Sequence, residues 1–221
     1  MRLTDTDTLG YISPEVFIPI AEENGMICQV GDIVFRKVCQ FISENNLAKY
    51  GIEYVEVNLS GAQFMDVQLN EMLSSYVKKF NISPEFINLE ITETASIEGG
   101  DMLEYNMKRL KECRFKFSMD DFGTGYSNLS KMAQSDFDLI KLDKSLLWPC
   151  FGSDYSTAAR VILDANIRMI HELGKQIVAE GVETKEQVEY LTERGVRYLQ
   201  GYYYSRPLPA ERYIEFMSKN Q

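Results

Sequence analysis

Polar side chains that can bind cations or transfer charge recur at the ends of apolar, β-rich runs in this chain: Asn58, Glu90, Asp120 with Asp121, Lys141 with Asp143, Glu180, and Gln200. Four carboxylates, Glu90, Asp120, Asp121 and Glu180, together with the neutral oxygen donor Asn58, suit hard divalent cations such as Mg²⁺ or Mn²⁺. Without metal, so many carboxylates in one place would repel one another. The adjacent pair Asp120 and Asp121 is informative, because one can bridge two ions while the other binds one. Two such ions activate a water and stabilise an in-line phosphoryl displacement, so the chemistry best served is phosphodiester hydrolysis. Lys141 would orient the attacking water or offset transition-state charge, and Glu180 would ligate metal or take the proton of the water. Taken singly, each acid reads as a turn or helix-cap residue, and Lys141 as a solvated or salt-bridged lysine. Their recurrence at strand ends is what points to a site.

The runs that carry these residues are Tyr54–Asn58, Phe86–Ile91, Phe115–Asp120, Phe137–Leu142, Gln176–Glu180 and Arg197–Gln200. They alternate with helical patterns over Pro14–Asn24, Asp32–Asn45, Val67–Phe80, Asp101–Glu112, Ser156–Leu173 and Lys185–Arg194. Ser13 before Pro14, and Thr184 before a Lys-Glu-Gln turn, read as helix N-caps. Alternation of this kind predicts a parallel sheet in an α/β fold. A doubly wound sheet draws its ligands from a few strands at a switch point, whereas a barrel brings every strand end to one mouth. The distribution of polar ends favours a modified TIM (β/α)8-like barrel. Six strands are two short of a full barrel, and because the chain opens on helical material the first two strands are the ones expected to be lacking.

Of 221 residues 45% are hydrophobic, enough for a sizeable core in a single domain, expected over residues 1–221. No run of about 18 apolar residues occurs and the N-terminus has no leader pattern, so a soluble, cytoplasmic protein without a membrane segment is expected. The net charge of −10 is the wrong sign for polymeric nucleic acid, although bound cations would let an acidic protein hold a small phosphorylated ligand. Cys28, Cys39, Cys113 and Cys150 lack metal or disulfide spacing. His171, the only histidine, sits among polar neighbours and reads as a surface or half-buried helix residue. Tyr202–Tyr204 reads as aromatic packing at the barrel rim or as a purine-stacking surface. The string Asp120-Asp121-Phe122-Gly123 matches a kinase motif only superficially, because no glycine-rich phosphate loop accompanies it.

Read together, VNLSGAQ (57–63), LEITET (89–94), MDDFGTGYSNL (119–129), IKLDKSL (140–146), AEGVET (179–184) and LQGYYYSRPLP (199–209) resemble the successive signatures of the EAL domain. Tyr11–Ile27 also resembles the segment that follows the motif giving that family its name. The resemblance implies a barrel that hydrolyses cyclic di-GMP to linear pGpG with two Mg²⁺ or Mn²⁺ ions. It assigns Asn58, Glu90 and Asp120 to the first metal, and Asp120, Asp121 and Glu180 to the second. Lys141 would position the water, Glu180 would act as general base, and Arg2, Asp143 and Gln200 would meet the substrate. Glu93 with Phe122, Gly123, Thr124, Gly125, Tyr126 and Ser127 would form a loop coupling substrate or dimer contacts to metal binding. A homodimer, and an upstream GGDEF or sensory domain on another or longer chain, are family-level expectations.

Counting back from Ser13-Pro14 puts Met1-Arg2-Leu3 on the last part of the name-giving motif, so its glutamate would fall before Met1. The expectation is an N-terminally incomplete EAL domain with a weakened first metal and reduced turnover. The rival expectation is a catalytically inactive cyclic di-GMP receptor or protein-interaction module. A third reading keeps the chemistry but takes a different phosphodiester.

Overall fold

The computed structural model describes residues 10, 12–124, 132–133, 135–152 and 155–219. Arg2, Gly125, Tyr126 and Ser127, all named above, lie outside them. The chain divides into two compact units, one of Met1–Ile87 and Gly99–Phe115, the other of Asn88–Glu98 and Lys116–Gln221.

The first unit is mainly helical. It contains α1 (Pro14–Glu23), α2 (Ile27–Glu44), β1 (Val55–Asn58), α3 (Gly61–Phe64), α4 (Leu69–Lys79) and α6 (Gly100–Glu112). Ser13 occupies the cap position of α1 in extended conformation, but its side chain makes no capping bond. The start is set instead by Pro14, whose ring already holds φ near the helical value. Helix α2 begins five residues before the predicted Asp32, running straight through Gly31. A glycine inside a helix costs about 1 kcal/mol relative to alanine. Here it has a packing reason: a Cβ at Gly31 would collide with the side-chain amide of Gln63. Gln63 in turn closes a capping box with Ser60 that starts α3. Phe35, Cys39, Phe64, Leu69, Leu73 and Leu110 form the buried centre. Asn106 of α6, fully buried, donates to the carbonyls of Phe64 at 2.7 Å and Asp66 at 3.1 Å and so ties α6 to the end of α3.

The second unit carries the sheet: β2 (Ile87–Thr92), β3 (Lys116–Phe122), β4 (Leu139–Leu142), β5 (Gln176–Ala179) and β6 (Tyr198–Leu199). Each pairs in parallel with the next, in sequence order. An order that never reverses has no switch point, which is the arrangement of a TIM-like barrel and not of a doubly wound sheet. β4 is buried at every position and β2 at all but its last, as strands covered on both faces must be. Around them lie α5 (Glu93–Glu98), α7 (Lys144–Leu147), α8 (Thr157–Glu172), α9 (Lys185–Glu193) and α10 (Ala210–Lys219). Thr184 caps α9 as expected, in a reciprocal capping box with Gln187.

All six predicted β-rich runs contain strands; four are shorter than predicted by one or two residues, while β2 is shifted one residue onward and β3 runs on to Phe122, two residues past its predicted end. Helix α10 lies beyond the last predicted element, Arg197–Gln200. Among the described residues no helix is long and apolar enough to cross a membrane.

Candidate active site

Parallel register and a period of two decide which side chains meet. Glu90 on β2 lies opposite Ser118 on β3, and Met119 lies opposite Ile140, so Glu90, Asp120 and Lys141 share one face of the sheet. Lys141 pairs with Val178, and Glu180, two residues further on, continues that face with its amide bonded to the Leu142 carbonyl at 3.0 Å. The intervening Ile91, Met119, Ile140 and Ala179 point the other way and are buried.

Alternation alone would send Asp121 to the opposite side from Asp120. It is overridden locally. Between Met119 and Phe122 β3 spends three residues where β4 spends two, a bulge, and Asp121 has φ of 57°. A positive φ is uncommon for a residue with a side chain, although aspartate tolerates it better than most. The bulge brings carboxylate oxygens of Asp120, Asp121 and Glu180 within 4.8 Å of one another, a group able to hold a metal ion.

Lys141 is only 4% exposed. Its ammonium contacts Glu90, and lies 3.1 Å from Asp120 and 2.8 Å from Glu180. Burial opposes its charge, but the three carboxylates outweigh burial and hold the ammonium above its ordinary pKa. Glu180 also sits above its ordinary value: burial is the main cause, opposed by Lys141 and reinforced by Asp120 and Asp121. Asp121 is raised too, by burial first and then by Asp120 and Asp143. Four carboxylates therefore face one ammonium. The remaining negative charge and an all-oxygen donor set fit a hard divalent cation.

The surrounding loops are pinned by short contacts. Glu93, buried at the start of α5, accepts a hydrogen bond from the Gly123 amide at 3.2 Å. Gly123 has φ of 100°, and a Cβ there would strike Leu146 of α7. Thr124 folds back so that its hydroxyl donates to the Asp121 carbonyl at 2.9 Å. Phe122 is buried between them in sequence, so the described part of the expected coupling loop is held at Phe122 to Thr124. Asp143 caps α7, its carboxylate accepting from the Ser145 amide at 2.8 Å. Gln200 follows β6, donating its amide to Ala179 at 2.9 Å and accepting from Val182 at 3.0 Å.

A cavity of about 610 Å³ opens beside the carboxylates, lined among others by Asp121, Asp143, Glu180, Gln200, Trp148 and Tyr202. That volume suits a small organic ligand. Of the predicted residues, Glu90, Asp120, Asp121, Lys141, Asp143, Glu180 and Gln200 thus stand in or around one site of the second unit. Asn58 ends β1 in the first unit, where it is exposed. His171 lies on the exposed side of α8, its Nε2 3.2 Å from the Arg194 carbonyl, as expected of a surface residue. Tyr202, Tyr203 and Tyr204 are exposed; Tyr203 and Tyr204 meet edge to face at 5.2 Å, and the Arg206 guanidinium lies 4.9 Å from the Tyr202 ring. Trp148, Tyr213 and Phe216 were not singled out by the sequence. They line the cavity from α10 and from a short turn after α7, and no β-strand period or acidic spacing marks them.

The sequence matches the family model described as EAL domain over residues 1–207. It is 36% identical over 209 residues to the oxygen sensor protein DosP of Escherichia coli K12, covering 95% of this chain and 26% of that protein. It is 34% identical over 210 residues to the cyclic di-GMP phosphodiesterase NbdA of Pseudomonas aeruginosa, with 95% of this chain and 26% of NbdA covered. The chain thus spans about a quarter of the length of these relatives. The solved structure of the phosphodiesterase PaMucR in complex with c-di-GMP superposes with a TM-score of 0.85 at 31% identity, covering 96% of this chain and 84% of that one.

Proposed function

Because this chain belongs to the EAL domain family, we propose that it acts as a cyclic di-GMP phosphodiesterase domain, cleaving one phosphodiester bond to release linear pGpG. The observation that carries this reading is the buried Lys141 ammonium among Glu90, Asp120 and Glu180, next to the Asp120, Asp121 and Glu180 group. We propose Asp120, Asp121 and Glu180 as holders of one divalent cation, and Glu90 with Asp120 as contributors to a second. Mg²⁺ or Mn²⁺ fits this oxygen set, and such ions supply acidification of a bound water and charge neutralisation of the phosphoryl oxygens.

The chain's own residues do the rest. Glu180, its carboxyl raised by burial, is suited to take a proton from the attacking water. Lys141, held cationic, orients that water and offsets negative charge growing on the phosphoryl group. The new bond forms between the water oxygen and phosphorus, and the bond to the ribose 3′-oxygen breaks, that oxygen leaving with a proton. Asp143 and Gln200 line the cavity where the rest of the nucleotide would lie. The roles of Asn58, Arg2, Gly125, Tyr126 and Ser127 rest on the family resemblance alone.

The family model runs through residues of both units, which supports reading residues 1–221 as one domain. Relatives about four times longer support a larger architecture in which a GGDEF or sensory domain supplies the input; a homodimer as the working form and a cytoplasmic location rest on the family resemblance alone. The test is incubation of the chain with cyclic di-GMP and Mg²⁺ or Mn²⁺, following pGpG by chromatography. Metal-dependent pGpG formation that disappears in Glu180→Ala supports the proposal. Binding of cyclic di-GMP without turnover would make the domain a receptor, and competition by cyclic di-AMP but not cyclic di-GMP would sink the substrate assignment.

A further inference from the structure

We propose that Trp148 is the platform on which a guanine base of the bound dinucleotide stacks, and hence a specificity-determining residue of this site; the inference rests on the phosphodiesterase reading. Trp148 is the only tryptophan of the chain and is 43% exposed. What distinguishes this indole from other exposed apolar side chains is its place: it lines the cavity that also holds Asp121, Asp143 and Glu180. One cavity therefore offers a flat apolar wall beside the acidic group proposed to bind metal and phosphate. That is the division of chemistry within a nucleotide, with a planar base at one end and phosphate at the other.

The ring is also held still. Its Nε1 donates to the Gly181 carbonyl at 2.8 Å, and the Lys144 ammonium lies 5.1 Å from the ring centroid. Gly181 has φ of 68°, and a Cβ there would strike the Lys144 side chain, so the loop after β5 approaches α7 this closely only as glycine. An aromatic fixed before binding loses little conformational entropy when a base stacks on it. An indole serving only to link the two loops would need its N–H bond, and would gain nothing from leaving ring surface in the cavity.

Because Trp148 is the sole tryptophan, its fluorescence reports on this ring alone. The 221-residue chain is titrated with cyclic di-GMP in Ca²⁺, whose longer metal–oxygen distances polarise water less than Mg²⁺, and binding is measured in parallel by calorimetry. Ribose 5-phosphate and guanosine monophosphate are the comparison ligands. The expected result is saturable quenching by cyclic di-GMP at the calorimetric affinity, with none from ribose 5-phosphate. Trp148→Leu is expected to weaken calorimetric binding about tenfold, while Trp148→Phe stays within about threefold. Circular dichroism establishes that each variant is folded, and quenching in the parent chain needs no variant at all. Calorimetric binding with unchanged fluorescence and an unaffected Trp148→Leu would overturn the inference and leave the phosphodiesterase reading standing. Saturable quenching by guanosine monophosphate without cyclic di-GMP binding would keep the base subsite and overturn that reading. If no nucleotide binds or quenches, both fall.

Discussion

At the scale of single residues, the central object is one ammonium shared by three carboxylates. Removing one partner of a buried ion pair leaves the others uncompensated and typically costs about 3–5 kcal/mol. Lys141→Met is therefore expected to destabilise the metal-free protein by about 3 kcal/mol in urea unfolding, because Glu90, Asp120 and Glu180 lose their counter-charge. Millimolar Mg²⁺ should restore part of that loss, since a cation can take over the neutralising role. If the variant is as stable as the parent in EDTA, the electrostatic account of the site is wrong. A second residue-level prediction concerns acid. The Asp164 carboxyl is held below its ordinary value by its hydrogen bond to Arg194, with Tyr190 assisting and burial opposing. A carboxylate with a depressed folded-state pKa contributes stability that is fully present above its unfolded value, about 3.9, and is lost as pH falls through the folded value below that. The gap in urea midpoint between the parent and Asp164→Asn should thus close as pH drops from 5 toward 2. The side chain is 44% exposed, so solvent screening keeps the effect small.

At the scale of elements, the strands were legible because apolar runs bounded by turn residues carry their own signature, and the acids at their ends followed. What the strand pattern did not contain was the bulge in β3. Simple alternation predicts Asp120 and Asp121 on opposite faces, and only the extra residue and the positive φ at Asp121 turn both toward Glu180. The early start of α2 was hidden for a different reason. Gly31 reads locally as a helix breaker, while its tolerance depends on Gln63, thirty-two positions away. Replacing a helical glycine by alanine ordinarily stabilises by about 1 kcal/mol. Here Gly31→Ala is expected to destabilise by about 1–3 kcal/mol, because the new methyl meets the Gln63 amide. Adding Gln63→Ala should recover part of the loss, and the coupling can be read from a double-mutant cycle in urea. Additive effects of the two changes would show that the contact does not set the helix.

At the scale of the whole molecule, a chain with net charge −10 must bind an anionic ligand through added cations or a small number of fixed ones. Mn²⁺ or Mg²⁺ is expected to raise the melting temperature, by an amount equivalent to about 2.7 kcal/mol when the metal is at a hundred times its dissociation constant. Asp121→Asn should abolish most of that rise, since Asp121 belongs to the only three-acid group close enough for an ion among the described residues. An unchanged metal response in Asp121→Asn would place the cation elsewhere. Retention on duplex DNA at physiological salt should be absent, because few phosphates can be neutralised by so acidic a surface.

By itself the sequence determined the alternation of strands and helices, the oxygen-donor chemistry of Glu90, Asp120, Asp121 and Glu180, and the family they mark. Those properties are local: each strand announces itself within a few residues, and the residue type states the donor. Only the tertiary structure decided that Lys141 is buried among three of those acids and not solvated, that both aspartates of the bulge meet Glu180, and that Trp148 and α10 close a cavity beside them. These depend on register between strands and on glycines whose missing Cβ atoms admit neighbours distant in sequence, and neither leaves a periodic trace along the chain.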